Sequence, residues 1–282
     1  MSLNELKKEL CVLLLVIIYF LLQMTSWAAA SRNKRVPQRI LLPTASVAST
    51  ASTLPTIATV SDALMPSFLE LKQHIETAFK NADKGKSKIT NGILNMEGMS
   101  GKKTRHFYNN LLNMNDARYL EIGTWKGSSV CSAMCGNKAK VICIDNWSEF
   151  GGPKNEFISN FNMYKGENEA SFIEQDCYKV DISQLPTFNI YMYDGNHTKD
   201  SHYKALVHYY NCLDDMFVFI VDDWNWKDVR DGTYDSFSKL NLSVLYEKEI
   251  KTTDDDSHPP EGCERKKQWH NGIYVAILKK NN

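Results

Sequence analysis

The sequence holds 282 residues, with 33 Lys and Arg against 33 Asp and Glu, for a formal net charge of zero. That length supports one sizeable domain plus a tail, and the balanced charge offers no basic field for a nucleic acid. The seven cysteines (Cys11, Cys131, Cys135, Cys143, Cys177, Cys212 and Cys263) contain no C-x-x-C pair, which argues against a zinc site, and they read as buried thiols rather than a disulfide framework.

Lys7 and Lys8 precede an unbroken apolar run from Cys11 to Leu22, followed by Trp27 and Ala28-Ala29-Ala30. Two readings of residues 1–35 compete. A short apolar core before a small-residue site is a signal peptide. Counted from Leu10 to Ala30, the run is also long enough to span a bilayer. Trp27 with Arg32, Lys34 and Arg35 makes an interfacial flank, which favours a single-pass membrane anchor of undetermined side. Residues 36–62 are rich in Ala, Ser, Thr and Pro, without charge between Arg39 and Asp62, and read as a linker. Residues 63–282 form the folded domain.

Phe68, Leu69, Leu71, Ile75, Ala78 and Phe79 recur at helical spacing. Gly98 to Gly101 opens a second helix, with Phe107, Leu111 and Leu112 on one face. These helices are expected to lid a cleft. Lys102, Lys103 and Arg105, like Arg265, Lys266 and Lys267, read as solvated faces.

Arg118 to Ser129 then reads as strand, tight turn and helix. Tyr119, Leu120 and Ile122 are strand formers, Gly123 permits the turn, and Gly127, Ser128 and Ser129 enter the helix. Such a junction holds cofactors in open α/β sheets. A second apolar strand, Ala139 to Asp145, ends in an acid about 20 residues after the first glycine, the spacing of a carboxylate that grips a ribose. A dinucleotide turn needs a glycine where Trp125 stands, and Glu121 would repel a pyrophosphate. A cationic ligand carrying an ammonium and a sulfonium suits that acid, which favours S-adenosylmethionine over a nicotinamide cofactor.

The remaining elements alternate. A helix runs from Pro153 to Tyr164, strands cover Ser171–Glu174 and Phe188–Tyr193, and a helix covers Lys199–Cys212. Met216–Val221 is the fifth strand, a helix follows to Leu240, and Leu242–Glu249 and Gly272–Leu278 are the last two strands. This alternation implies a parallel sheet with helices on both faces. A polar insert with Asp254, Asp255, Asp256, Pro259 and Pro260 is expected near the mouth of the cleft.

Asp145, Asp194, Asp222 and Asp223 occupy strand ends, with Asp176 just beyond another. So many acids at one rim repel each other unless something cationic binds there. Asp194, Asp222 and Asp223 can converge on Mg²⁺ or another divalent cation, because neighbouring strands lie about 5 Å apart. The structural alternative is that they cap a helix and form a turn. His197 is a candidate general base or extra ligand beside Asp194. His202, His208, His258 and His270 read as structural. Trp147 is placed to stack on adenine, Trp224 and Trp226 to wall an acceptor site, and Trp226 is the better candidate of these for a core role.

Four motifs carry a family resemblance: Leu120-Glu121-Ile122-Gly123-Thr124-Trp125-Lys126-Gly127-Ser128, Ile144-Asp145-Asn146-Trp147-Ser148-Glu149-Phe150-Gly151-Gly152-Pro153, Tyr193-Asp194-Gly195-x-His197, and Val221-Asp222-Asp223-Trp224-Asn225-Trp226. The chain resembles class I S-adenosylmethionine-dependent methyltransferases, within them a small bacterial and viral group related to metal-dependent sugar O-methyltransferases. The resemblance implies a Rossmann-like, seven-stranded, mostly parallel sheet with a C-terminal antiparallel hairpin. It implies Glu121 and Gly123 near the methionine moiety, Asp145 on the ribose and Asp176 near adenine. The full expected cofactor set is Glu121, Gly123, Thr124, Trp125, Gly127, Ser128, Asp145, Asn146, Trp147, Asp176 and Asp194. Metal-dependent relatives place ligands at positions matching Asp194, Asp222 and Asp223, although Asn196 stands where the macrolide-sugar type has an aspartate.

The expected activity is metal-assisted O-methylation of a glycan or small metabolite, with His197 and Asp194 catalytic and homo-oligomerisation possible. A nicotinamide-dependent oxidoreductase and a membrane-tethered binding module without turnover are the alternatives. Trp125 opposes the first, and acids at every strand end oppose the second. The sequons at Asn146, Asn196 and Asn241 include two in the cleft loops, where a glycan would block access.

Overall fold

The computed structural model describes residues 65–281. The expected anchor or signal peptide (1–35) and linker (36–62) lie outside the described residues. No described helix is long and apolar enough to cross a membrane.

Seven strands form one sheet: β1 (Arg118–Ile122), β2 (Lys140–Asp145), β3 (Glu169–Glu174), β4 (Phe188–Tyr193), β5 (Leu213–Asp222), β6 (Leu242–Ile250) and β7 (Ile273–Lys280). Their order is β3-β2-β1-β4-β5-β7-β6. The first five run parallel, and β7 lies antiparallel to both β5 and β6. The chain winds outward from β1 through β2 to β3, then returns to β4 on the other side of β1. That reversal opens a crevice beyond the carboxyl ends of β1 and β4.

The helices are α1 (Met65–Asp83), α2 (Asn91–Leu94), α3 (Lys102–Leu111), α4 (Ser128–Met134), α5 (Lys154–Tyr164), α6 (Lys199–Tyr209), α7 (Lys227–Lys239) and α8 (Glu264–Trp269). Strand side chains alternate between two cores. Tyr119, Val141, Cys143, Ile190 and Met192 face α1, α3, α4, α5 and Trp269 of α8. Leu120, Ile122, Tyr191 and Tyr193 face α6 and α7. Full burial of each such apolar side chain contributes about 1.5–3 kcal/mol.

Three expectations need correction. The helices around Phe79 and Phe107 are not a lid: both rings are buried in the core and stack at 4.2 Å. Among the described residues before β1, Met99, in the loop before α3, alone reaches the cleft. Arg105 is not solvated. It is 3% exposed, and Nη1 donates to the carbonyls of Ile93 (2.8 Å) and Met96 (2.7 Å), folding that loop back on itself. The polar insert also contains α8, whose Trp269 is buried; the cluster of prolines and aspartates masked it in the sequence.

Candidate active site

β1 and β4 end in register, Ile122 opposite Tyr193, and Tyr193 is opposite Val221 of β5. The next residues, Gly123, Asp194 and Asp222, therefore emerge side by side. Gly123 has φ +84°, and a Cβ there would lie 1.9 Å from the Asp194 carbonyl oxygen. Only glycine lets the two strand ends close to this distance.

Above these ends lies a cavity of about 650 Å³, within the range of small-molecule sites. Gly123, Trp125, Asp145, Asn146, Trp147 and Asp176 line one half, and Asp194, His197, Asp222, Asp223, Trp226, His258 and His270 line the other.

Asp145 braces the first half. Its Oδ2 accepts from the backbone N–H groups of Thr124 and Trp125, both at 2.8 Å, and Oδ1 accepts from that of Trp147 at 2.7 Å. One carboxylate thus ties the turn after β1 to the loop after β2. Trp147 Nε1 donates to the Trp125 carbonyl at 2.8 Å, and its ring packs on Phe157 and Phe172. Asp176 caps the turn that follows β3 through the Tyr178 N–H. Asn146 is exposed and turns its Oδ1 onto Ser148.

Four expected cofactor contacts do not line the cavity. Glu121 is fully buried on the opposite face of β1, where it accepts from Tyr119 Oη and Ser129 Oγ, each at 2.6 Å. Burial raises its pKa to about 8 despite those two bonds. The period-two alternation of a strand puts Glu121 on the side of Tyr119, away from the opening. Ser128 Oγ is engaged with Ser100 Oγ at 2.9 Å. Gly127 packs against Phe157, and Thr124 is 3% exposed. The helix they enter, α4, has only 7 residues.

The second half holds the acids. His197 Nε2 lies 2.6 Å from Asp223 Oδ2 and 3.6 Å from Asp194 Oδ1, an ion pair in which neither contact is an aligned hydrogen bond. Ligand atoms of Asp194, His197 and Asp223 fall within 4.8 Å of one another. Burial works to lower the His197 pKa, but its contacts with Asp194 and Asp223 prevail and raise it to about 10. Burial raises Asp194 to about 6, and raises Asp222 well above the usual carboxylate range, with Asp194 and Asp223 adding repulsion. Burial also opposes ionisation of Asp223, yet contact with His197 and Asn271 holds it below the ordinary value. Asp222 is 3% exposed, and its Oδ1 has no hydrogen-bond partner.

A buried amide network fixes Asp223. Asn271 Nδ2 donates to Asp223 Oδ1 at 2.6 Å. Asn225 Nδ2 donates to Asn271 Oδ1 at 2.9 Å and to Thr252 Oγ1 at 2.8 Å, and Asn225 Oδ1 accepts from the Thr252 N–H. The local backbone is strained as well. Of eight non-glycine residues with positive φ among the described residues, Trp125, Trp147, Phe150, Asp223 and His270 all line the cavity. Such conformations persist only where surrounding contacts hold them, and they concentrate at functional sites.

The roles of the tryptophans reverse the expectation. Trp224 is fully buried, stacked on Tyr274 at 4.1 Å, whereas Trp226 faces the cavity, 5.0 Å from the His197 ring. His258 and His270, expected to be structural, also wall the cavity. His202 is buried edge-on to Tyr193 with both ring nitrogens unpartnered, and burial pushes it down to about 3. Asn225, Thr252 and Asn271 carried no local signal, because they meet across separations of 27 to 48 residues.

Residues 120–224 match a family model described as a methyltransferase domain. No protein of curated function matches the sequence. Among solved structures, the chain is similar to cofactor-bound Rv0187 from MTB, at 15% identity and TM-score 0.46, over 79% of this chain and 100% of that one. It is also similar to the O-methyltransferase from Bacillus cereus in complex with SAH, at 14% identity and TM-score 0.45, over 78% and 94% of the two chains. Likeness at that level carries no inference about activity. The family match runs from within β1 to just past the end of β5, the part of the sheet that builds the cavity.

Proposed function

We propose that the protein transfers the methyl group of S-adenosylmethionine to a hydroxyl of a glycan or small metabolite, with a divalent cation held by Asp194, Asp222 and Asp223. The charge of the cavity carries this reading. Asp145, Glu149, Asp176, Asp194, Asp222 and Asp223 line it, and among the described residues no lysine or arginine does. A nicotinamide cofactor would bring a pyrophosphate into that field without a partner. S-adenosylmethionine brings an ammonium and a sulfonium instead, with Trp147 and Asp176 placed for the adenosine half.

The donor set fits a hard cation. Three carboxylates gather at two adjacent strand ends, and one buried oxygen, Asp222 Oδ1, has no partner. Such oxygen donors suit Mg²⁺. When bound, the cation would supply Lewis acidity that lowers the pKa of an acceptor hydroxyl.

The side chains of this protein do the rest by position. Asn271 keeps Asp223 aimed at His197, and Trp226 shields the acids from bulk water. The acceptor oxygen attacks the methyl carbon in line as the carbon–sulfur bond breaks and its electron pair passes to sulfur. His197 receives the hydroxyl proton. It can do so only when neutral, so its pairing with Asp194 and Asp223 must loosen in the loaded site.

The test is to incubate the protein with methyl-labelled cofactor and a small-molecule and glycan extract. The reading predicts label in a hydroxylated product, lost on adding a chelator and restored by Mg²⁺. Absence of labelled product, or labelling unchanged by Asp194→Asn and Asp223→Asn, contradicts it. Labelling that ignores the chelator removes the metal from the account.

A further inference from the structure

The acceptor side of the cavity is walled by three rings that lie outside the matched segment, residues 120–224. Trp226 stands at the N-terminus of α7, His258 in the insert between β6 and β7, and His270 in the turn after α8. They form a continuous aromatic wall with His197: centroids lie 5.0 Å apart for His197 and Trp226, 6.1 Å for Trp226 and His258, and 5.4 Å for His258 and His270.

This wall is built in advance of any ligand. Asn225 Nδ2 donates to the Ser257 carbonyl at 3.1 Å, beside His258. Asp256 pairs with Arg230 at 2.7 Å and with Lys251 at 3.0 Å. Thr252 Oγ1 donates to the His270 carbonyl at 3.0 Å. His258 Nδ1 donates to the Pro259 carbonyl at 3.1 Å, which leaves Nε2 as an acceptor. Burial lowers the His270 pKa to about 4, so its imidazole is neutral at physiological pH.

We propose that Trp226, His258 and His270 form the acceptor subsite, and that it selects an uncharged hydroxylated ring and rejects phosphorylated or carboxylated acceptors. This rests on the methyltransferase reading of the same cavity. Trp226 offers a flat apolar face to ring CH groups. His258 offers its Nε2 acceptor to a hydroxyl, and the neutral His270 ring carries one donor and one acceptor. An anionic acceptor would lie beside Asp194, Asp222 and Asp223, and among the described residues no lysine or arginine lines the cavity to receive it, so like charges would repel at short range.

The experiment uses the full chain saturated with S-adenosylhomocysteine. Phenyl β-D-glucoside and its 6-phosphate are titrated separately, followed by tryptophan fluorescence and calorimetry. The glucoside should bind saturably, and the phosphate at least about tenfold more weakly. Trp226→Ala and His270→Asn should each weaken glucoside binding by about fivefold or more, while leaving S-adenosylhomocysteine affinity within about twofold. His270 sits at φ 51° and ψ −119°; asparagine places the same Cβ there as histidine and adds no backbone clash, and a thermal melt checks that the variant is folded. Equal or tighter binding of the phosphate, no saturable glucoside binding, or variants without effect would each overturn the subsite. Failure to bind S-adenosylhomocysteine at all would remove the underlying reading and the subsite with it.

Discussion

Asp145 ends β2 as the sequence indicates, but in the ligand-free protein it works on the backbone. Its three N–H acceptor contacts hold two cleft loops together, and Asp145→Asn should therefore do two things. It should lower stability by about 1–3 kcal/mol, because an amide cannot accept all three bonds, and it should weaken cofactor binding; denaturant melts and calorimetry measure each. Gly123 is constrained by the Asp194 carbonyl, so Gly123→Ala should cost more than about 1 kcal/mol in a thermal melt. Glu121 makes a pH-dependent contribution. Burial raises its pKa from an ordinary 4.5 to about 8 in the folded chain. The folded state then binds the extra proton between those values, so its stability falls as pH rises from about 4.5 to about 8 and levels off above. Glu121→Gln should flatten that slope in pH-dependent denaturation, and an unchanged slope would refute the assignment.

At the scale of elements, the strands were legible and the loops were not. Short apolar runs ending in aspartate marked β2, β4 and β5, and their parallel register then brings Asp194 and Asp222 together. Period-two alternation could also have shown that Glu121 faces Tyr119's side of the sheet. The wall of Trp226, His258 and His270 and the network of Asn225, Thr252 and Asn271 left no such trace. Their geometry depends on where the β6–β7 insert folds back, which no local periodicity records. Asp256 ties that insert to Arg230 and Lys251. Both pairs are partly exposed, so Asp256→Ala should leave global stability little changed. Hydrogen exchange at residues 253–258 should nevertheless speed up markedly, and unchanged exchange would show that the ion pairs do not hold the insert.

Across the whole molecule, the chain's zero net charge conceals a strongly polarised interior. Surface lysines pair with surface acids, as in Lys138 with Glu167 and Lys199 with Asp235, while among the described residues Asp194 and Asp223 of the cavity face His197 as their cation. That separation is the physical basis for a cationic cofactor, and it needs the tertiary fold: the same acids, counted along the sequence, vanish into a neutral total. Calorimetric titration with S-adenosylmethionine, and separately with NAD, tests it most directly. The account predicts saturable one-site binding of S-adenosylmethionine, weakened in Asp145→Asn, and no binding of NAD. Saturable binding of NAD with none of S-adenosylmethionine would contradict it.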